Sequence, residues 1–461
     1  AAEYQTVLWD KYHLLYLDGA YGWDQFDENK VSSRVMDYVA GNLSETGENS
    51  VFRTKLCEAS LLEYMFATDN DGTGMLRQAS AYMKRHLPED VAKKMYQQYQ
   101  DGKKAEADGK TEYSVEDADQ AIINAKKEKE QADQNDKEGA PQEEAGEKNI
   151  QDNENNHAQD AEDGKKESPI QIVLQLKQNA LLGMTVSDMS SLSAKAVEAK
   201  DMVSNRQCET GRYDMKKAEK MNVSDRVMVL EYIGKHFSDY TEPGKGDLTY
   251  EMEYILCGKD TDKKNLESSI ERLMRMREAA NVAHIIADRE KLNQTLMIAT
   301  SLAGFSGNPA VVKIVQIGVV AAWAYVESIL DLRTLLSGGK ISLIKSAAEW
   351  TTDLKKLGEI VTGEGKAREC KNGLSYQAYI KQLLFAMKEK KMAYRMMDIM
   401  ELAMQKEQNG KNARMDHMID NMICELRFEA KPLFAKRSFY GDMEKGGYTF
   451  FKRQKLSYIN E

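Results

Sequence analysis

The sequence predicts an α+β fold that is predominantly helical, with two lobes, a small antiparallel sheet and long central helices, interrupted by an acidic disordered insert. Three observations lead to this reading. Apolar residues recur at three- and four-residue spacing along most of the chain, the period of a helix buried on one face. Proline is scarce (6 of 461 residues) and methionine abundant (25), and unbranched side chains lose little rotamer freedom in a helix. Between Asp101 and Ser168, 21 acidic residues stand against 10 basic ones, a net charge of −11 in a chain whose total is −10. The remainder is therefore close to neutral.

These features divide the chain into an N-terminal lobe over 1–101, the insert over 102–168 and a helix-rich C-terminal lobe over 169–461. In the first lobe, Val31, Val35, Met36, Val39 and Ala40 form a helical stripe. Residues 51–66 have strand composition at their start and helical spacing at their end. Leu76–Leu87 reads as a helix stopped by Pro88, since a proline disfavours helix in the residue before it. The insert has one aromatic, Tyr113, and few large aliphatics, too little apolar surface to offset the ordering entropy of roughly 1–2 kcal/mol per residue.

The helical pattern resumes at Pro169. Val223–Phe237 is predicted as a helix with its cap near Ser224-Asp225. Tyr250, Met252, Tyr254 and Leu256 alternate with polar residues, which predicts a half-buried strand near 247–257. Helices are expected over 266–303, over Ala310–Leu336 ending at Gly338-Gly339, and over 376–390 and 392–404. Strands are expected near 423–434 and 448–459. The stretches Leu292–Val312 and Ile314–Val326 read as buried core helices, the second too short for a span of about 20 residues. In the long helix Trp323 is expected to anchor the core. Glu327 and Asp331 are expected to meet a cation, with Arg277 and Arg333 as candidates.

Several function classes lack support. No strongly basic region is left for nucleic acid. The five cysteines, Cys57, Cys208, Cys257, Cys370 and Cys424, are isolated, so neither a zinc signature nor a disulfide scaffold is present. Gly338-Gly339-Lys340 follows a helix rather than a strand, and Gly41–Gly47 has no phosphate-loop spacing.

Four groups could carry chemistry, and each has a structural reading beside it. Glu251 and Glu253 could form an acid–base pair or a solvent-side acidic face. His284 and Asp288, four apart, could hold a metal or act as a dyad, or be an ordinary exposed or satisfied pair. Cys257 could be a nucleophile or a buried thiol. The stripe of Met387, Met392, Met396, Met397, Met400 and Met404 could line a groove or fill a core. The aromatic residues at Phe439–Tyr440 and Tyr448–Phe451 suit either a surface patch or an edge strand with gatekeeper charges. No catalytic, cofactor or metal residue is assigned, and no cofactor is expected.

Several blocks resemble a known family. They are Tyr12-His13-Leu14-Leu15-Tyr16-Leu17-Asp18 with Tyr21-Gly22, Tyr250-Glu251-Met252-Glu253-Tyr254-Ile255-Leu256 with Gly258-Lys259, and Arg277-Glu278-Ala279-Ala280-Asn281. With them go Ala322-Trp323-Ala324-Tyr325 with Glu327-Ser328, and Tyr394-Arg395-Met396-Met397-Asp398. The resemblance is to a domain-of-unknown-function family of Gram-positive anaerobes, whose members carry one N-terminal membrane helix and a large outer domain. Their genes lie beside tight-adherence (Flp-type) pilus genes. The resemblance implies a membrane anchor upstream of Ala1, removed here, and no catalytic residues. The expected function is a non-enzymatic structural or assembly component on the extracellular face of the cell membrane, single-pass anchored, with pilus or cell-envelope proteins as partners and no nucleic acid. The alternative is a cell-wall-associated hydrolase or polymer-binding module.

The composition of the insert makes a test. Replacing 103–167 by a short Gly/Ser linker is expected to leave the melting temperature within a few degrees. Loss of cooperative unfolding on replacement would mean that the insert supplies core contacts.

Overall fold

Thirteen residues from Thr54 to Phe66 form the first strand, β1, and Ile419–Ala430 forms the second, β2, antiparallel to it. The computed structural model describes residues 7–15, 26–47, 54–88, 93–100, 120, 123–124, 127, 168–213, 221–303, 308–357, 365–407, 411–431, 443–444 and 447–457. The insert expected over 102–168 thus lies outside the described residues, apart from Gln120, Ile123, Asn124, Lys127 and Ser168.

The chain divides into two units, one of 1–97, 193–266 and 381–461, the other of 98–192 and 267–380. The units do not follow the expected boundaries at 101 and 169. The reason is strand pairing: β1, from the proposed first lobe, finds its partner in β2, near the other end of the chain.

In the first unit the sheet has the order β1-β2-β4-β3, with β3 Met443–Glu444 and β4 Gly447–Ser457. The strands expected near 423–434 and 448–459 are present, the first beginning four residues earlier. β1 resolves the ambiguity of residues 51–66. Its register shifts between Leu56 and Glu58 and between Leu61 and Glu63. Each irregularity adds a residue to the pleat, so the buried residues Leu56, Ala59, Leu61, Tyr64 and Phe66 fall at spacings that imitate a helix. Against them and Met422, Cys424, Leu426 and Phe428 packs the amphipathic stripe Val31, Val35, Met36, Val39 and Leu43. That stripe lies on α2, Glu28–Gly47, which follows the single-turn α1, Val7–Asp10.

Helices α3 (Thr73–His86) and α6 (Val223–His236) also belong to this unit. Between them in sequence come α4 (Pro169–Leu176) and α5 (Leu181–Thr185) of the second unit. The cap of α6 is Asn222, whose side chain accepts from the Asp225 N–H at 2.8 Å.

The strand expected near 247–257 is instead a helix, α7, Glu251–Cys257. All seven of its residues are buried, so the apolar-polar alternation does not mark two faces. The solvent-side reading of Glu251 and Glu253 is likewise wrong. Their carboxylates accept from the backbone N–H groups of Ser238 and Tyr240, each at 2.9 Å, and Glu251 also pairs with Lys11 at 3.2 Å. At the other end Gly258 takes the left-handed conformation (φ +64°) that closes a helix. The Arg395 guanidinium donates to the terminal carbonyls of Ile255 and Leu256, at 2.9 and 2.8 Å. Arg395 lies on α12, Glu389–Gln405, whose Met392, Met396, Met397, Met400 and Met404 are all buried. These five fill core, whereas Met387, the first of the expected stripe, precedes the helix and is only half-buried.

The second unit is organised by α10, Pro309–Leu336, with Asn308 as its cap and Pro309 at its first position. From Val315 onward burial is nearly continuous, with Gly318, Ala321, Ala322 and Ala324 among the buried residues and Trp323 only 2% exposed. α10 packs against α4, α5 and the preceding α9, Arg289–Leu302. Two earlier readings need correction. α10 is long and apolar enough to cross a membrane by length and composition, though most of its apolar window is buried. The Leu292–Val312 stretch is not wholly core, because Leu296 and Met297 on α9 are exposed.

Beside α10 run the later part of α8, Asp262–Ala287, and the first part of α11, Tyr376–Phe385. Among them lie four ionised side chains, Arg277, Lys345, Glu327 and Asp331, each almost fully buried. Arg277 donates to Asp331 at 3.0 Å, to the carbonyls of Ser342 and Leu343 at 3.0 and 2.9 Å, and to the Tyr379 hydroxyl at 2.8 Å. Asn281 adds a hydrogen bond to Asp331 at 3.1 Å. Lys345 pairs with Glu327 and, at 2.5 Å, with Asp331. Glu327 also accepts from the N–H groups of Thr351 and Thr352, at 3.1 and 2.9 Å. Asp331 therefore meets the expected Arg277, whereas the cation for Glu327 is Lys345. Arg333 instead donates to the Met184 carbonyl at 2.7 Å.

Breaking a buried pair by deleting one member leaves a desolvated charge, at a cost of about 3–5 kcal/mol. Arg277→Met is expected to lose that much in urea unfolding. A loss below about 1 kcal/mol would show that the quartet adjusts to the missing charge.

Candidate functional site

The residues that the sequence offered for chemistry are spent on architecture. Glu251 and Glu253 hold the 238–240 backbone, as described. Cys257 is buried, and all five cysteines are free thiols. Asp288 caps α9, accepting from the N–H groups of Glu290 and Lys291 at 3.0 and 3.2 Å and pairing with the Lys291 ammonium at 2.6 Å. His284 stacks on Trp350 with ring centroids 4.9 Å apart, and burial pulls its pKa down. Gly338, at φ +86°, lies just past the end of α10, and Gly41–Gly47 lies within α2. On β4, Phe450 stacks on Phe428 of β2 at 5.2 Å, while Phe451 is exposed. Phe439 and Tyr440 lie outside the described residues.

The first unit contains a half-open pocket of about 280 Å³. Five carboxylates line it, those of Glu198, Asp201, Asp247, Asp398 and Glu401, with Met202 among the apolar contributors. One of them, Glu401, is tied into an internal ion-pair network. Glu401 takes a two-pronged ion pair from Arg206, at 2.5 and 2.7 Å, and accepts from the Met415 N–H at 2.7 Å. Arg206 extends to Asp416 at 2.5 Å, and Arg414 pairs with the same carboxylate at 2.7 Å. Burial alone would raise the Asp416 carboxyl, but the bonds from Arg414, the Glu209 N–H and Arg206 outweigh it and hold it well below the ordinary carboxylate range.

Asp398 differs because, among the described residues, no cation touches it. It accepts from the Ser204 N–H at 3.0 Å, the Ser204 hydroxyl at 2.6 Å and the Tyr254 hydroxyl at 2.8 Å. Burial pushes its carboxyl up to about 6, against these hydrogen bonds, which favour the anion. Burial, then the nearby Asp398 charge, pushes the Tyr254 phenol up, so it stays protonated and donates. Sequence reasoning missed this site, because its walls come from 196–202, 247 and 398–405 and no single stretch has motif spacing.

Residues 159–430 match the model of a family of unknown function, DUF5702. The chain belongs to the DUF5702 family. No curated protein and no solved structure matches it. The pocket and the buried quartet both fall within the DUF5702 match, which ends at Ala430, the last residue of β2. Both neighbours of β2 in the sheet, β1 and β4, lie outside it.

Chemically, the pocket suits a cationic group such as an ammonium or guanidinium at its acidic rim, where Asp247 already pairs with Lys406 at 2.8 Å. Among the described residues no group of three or more His, Cys, Asp or Glu could hold a metal ion. Ser204 has a carboxylate rather than an imidazole beside it, which is a weak base for activating a hydroxyl.

The raised Asp398 carboxyl gives a pH test. Its ordinary value is 3.8 and its folded value about 6. Between these the folded protein holds a proton that the unfolded chain releases. The stability from this group is therefore full below about pH 4 and lost as pH rises through 6. Asp398→Asn keeps an acceptor and cannot ionise. Relative to wild type, the variant is expected to gain stability between pH 4 and pH 7, by an amount on the order of 2–3 kcal/mol. An unchanged difference across that range would mean that the Asp398 charge is not destabilising.

Proposed function

We propose that this DUF5702 protein is a non-enzymatic structural or assembly component on the extracellular face of the cell membrane of a Gram-positive anaerobe. It would be held there by a single helix upstream of Ala1 and associated with a tight-adherence-type pilus. The observation that carries the non-enzymatic part is the use of the candidate groups. Glu251, Glu253, Asp288 and His284 each hold a backbone segment, a helix start or an aromatic stack, which leaves them poorly placed to act on a substrate. The surface and pilus parts rest on the resemblance of the sequence blocks.

One observation favours the second reading, a wall-associated hydrolase or polymer-binding module. Asp398 borders the pocket with a carboxyl raised by burial, which is the environment a general acid needs.

Two measurements separate the readings. Affinity purification from the native host is expected to bring down pilus assembly or other envelope proteins, and recovery of the protein alone would count against the assembly role. Incubation of the purified protein with cell-wall preparations is expected to release no soluble fragments. Release that disappears in Asp398→Asn would replace the assembly reading by the enzymatic one.

A further inference from the structure

Glu327 and Asp331 lie one turn apart on α10, and the chain that leaves α10 comes back to them. α10 ends at Leu336, Gly338 turns the chain with φ +86°, and Ile341 is bridged to Leu374 by two backbone hydrogen bonds of 3.1 and 2.8 Å. Lys345, four residues farther on, meets both carboxylates, and none of the three side chains is exposed. Trp350 flanks the ammonium, its ring centre 5.8 Å from Nζ, and Trp323 packs edge-on against Trp350.

The contacts of these groups are unequal. Lys345 Nζ donates a hydrogen bond to Glu327, whose two oxygens also accept from the N–H groups of Thr351 and Thr352. Asp331 Oδ1 lies 2.5 Å from the same Nζ, yet among the described residues it takes part in no hydrogen bond. Asp331 Oδ2, by contrast, accepts from Arg277 Nε at 3.0 Å and from the Asn281 amide at 3.1 Å. In an ordinary ion pair Nζ would donate to Oδ1, and the donors around Asp331 would be shared between its oxygens. Here both side-chain donors converge on one oxygen, and the amine nitrogen closes on the other without hydrogen-bond geometry. A near-attack arrangement holds reacting atoms roughly 3–3.5 Å apart, and the Asp331 carboxyl carbon is only one C–O bond beyond Oδ1.

We propose that Lys345 and Asp331 condense into an intramolecular amide cross-link, with Glu327 as the base that carries the protons. The four-charge cluster is the arrangement before the reaction. The Lys345 ammonium gives one proton to Glu327, and Nζ attacks the Asp331 carboxyl carbon. As the N–C bond forms, negative charge gathers on Oδ2, where Arg277 and Asn281 already donate, as in an oxyanion hole. Glu327 hands its proton to Oδ1. A second proton follows from Nζ by the same route, the C–Oδ1 bond breaks and water departs. Ammonium plus carboxylate gives amide plus water, so atoms and charge balance and no oxidant, reductant or activated carrier is required. The driving force is the removal of two desolvated charges, and the burial of the site keeps out the water that would reverse the step. Arg277 and Glu327 remain as the charged pair and still offset each other. Each chain reacts once and with itself, so the inference does not depend on where the protein resides or on the absence of an enzymatic role.

Mass spectrometry of the purified 461-residue chain, intact under denaturing conditions and after trypsin, provides the test. The wild-type chain is expected to be lighter than its sequence by one water. Trypsin is expected to spare Lys345, leaving residues 314–333 joined to residues 341–355. Fragmentation of that species is expected to place the link on Asp331 rather than on Glu327, which the same peptide contains. Lys345→Arg keeps the cation but not the amine, and is expected to show the full sequence mass and no joined peptide. Glu327→Gln is expected to lose most of the joined species while keeping Lys345 and Asp331. A folded wild-type chain of full mass, yielding 314–333 and 341–345 as separate peptides, overturns the proposal, and this result needs no variant to fold. A link on Glu327 overturns the assignment of Asp331, and undiminished joining in Glu327→Gln overturns the role of Glu327 as base.

Discussion

Four buried charges set the terms for the second unit. Arg277, Lys345, Glu327 and Asp331 are neutral in sum, and none can reach water. Each must find its full set of partners inside the protein, because an uncompensated ion in the interior costs several kcal/mol. That requirement reaches well past the four residues. It draws the Ser342 and Leu343 carbonyls to the guanidinium and the Thr351 and Thr352 N–H groups to Glu327. A segment with little regular structure is thereby pinned to the long helix at two places. Above the quartet the Trp323 indole donates to the Thr352 hydroxyl at 2.7 Å and lies edge-on to Trp350, with centroids 5.5 Å apart. An apolar replacement could be as stable.

The first unit uses charge in a different way, as a substitute for missing backbone partners. A seven-residue helix is too short to be stable alone. α7 survives because carboxylates at its start hold the preceding loop and Arg395 covers the carbonyls at its end. Arg206 and Arg414 do similar work around Asp416. Two members of this framework, Asp398 and Glu401, line the acidic pocket, and among the described residues no cation touches Asp398.

How much could be read in advance depended on where each residue finds its partner. α10 and β2 have partners that repeat at a regular period, so their apolar spacing was enough. The Arg277–Asp331 pair was legible because both sit on long, well-marked helices. Lys345 was not, since it belongs to a stretch with no periodicity. α7 was misread because Glu251 and Glu253 are satisfied by Ser238 and Tyr240, residues that no local pattern connects to them. β1 was half-read because its register irregularities disguise a period of two. The pocket was invisible because its five carboxylates come from three separate stretches.

The pairing of β1 with β2 has a temporal consequence. Ser60 bonds to the Glu425 carbonyl across 365 residues of chain. At roughly 5–20 residues per second of synthesis, β1 waits on the order of twenty to seventy seconds for its partner to emerge. Its apolar face and strand edge have no native sheet to join during that interval, and such edges template association between chains. The sheet therefore cannot form until β2 and β4 have both been made.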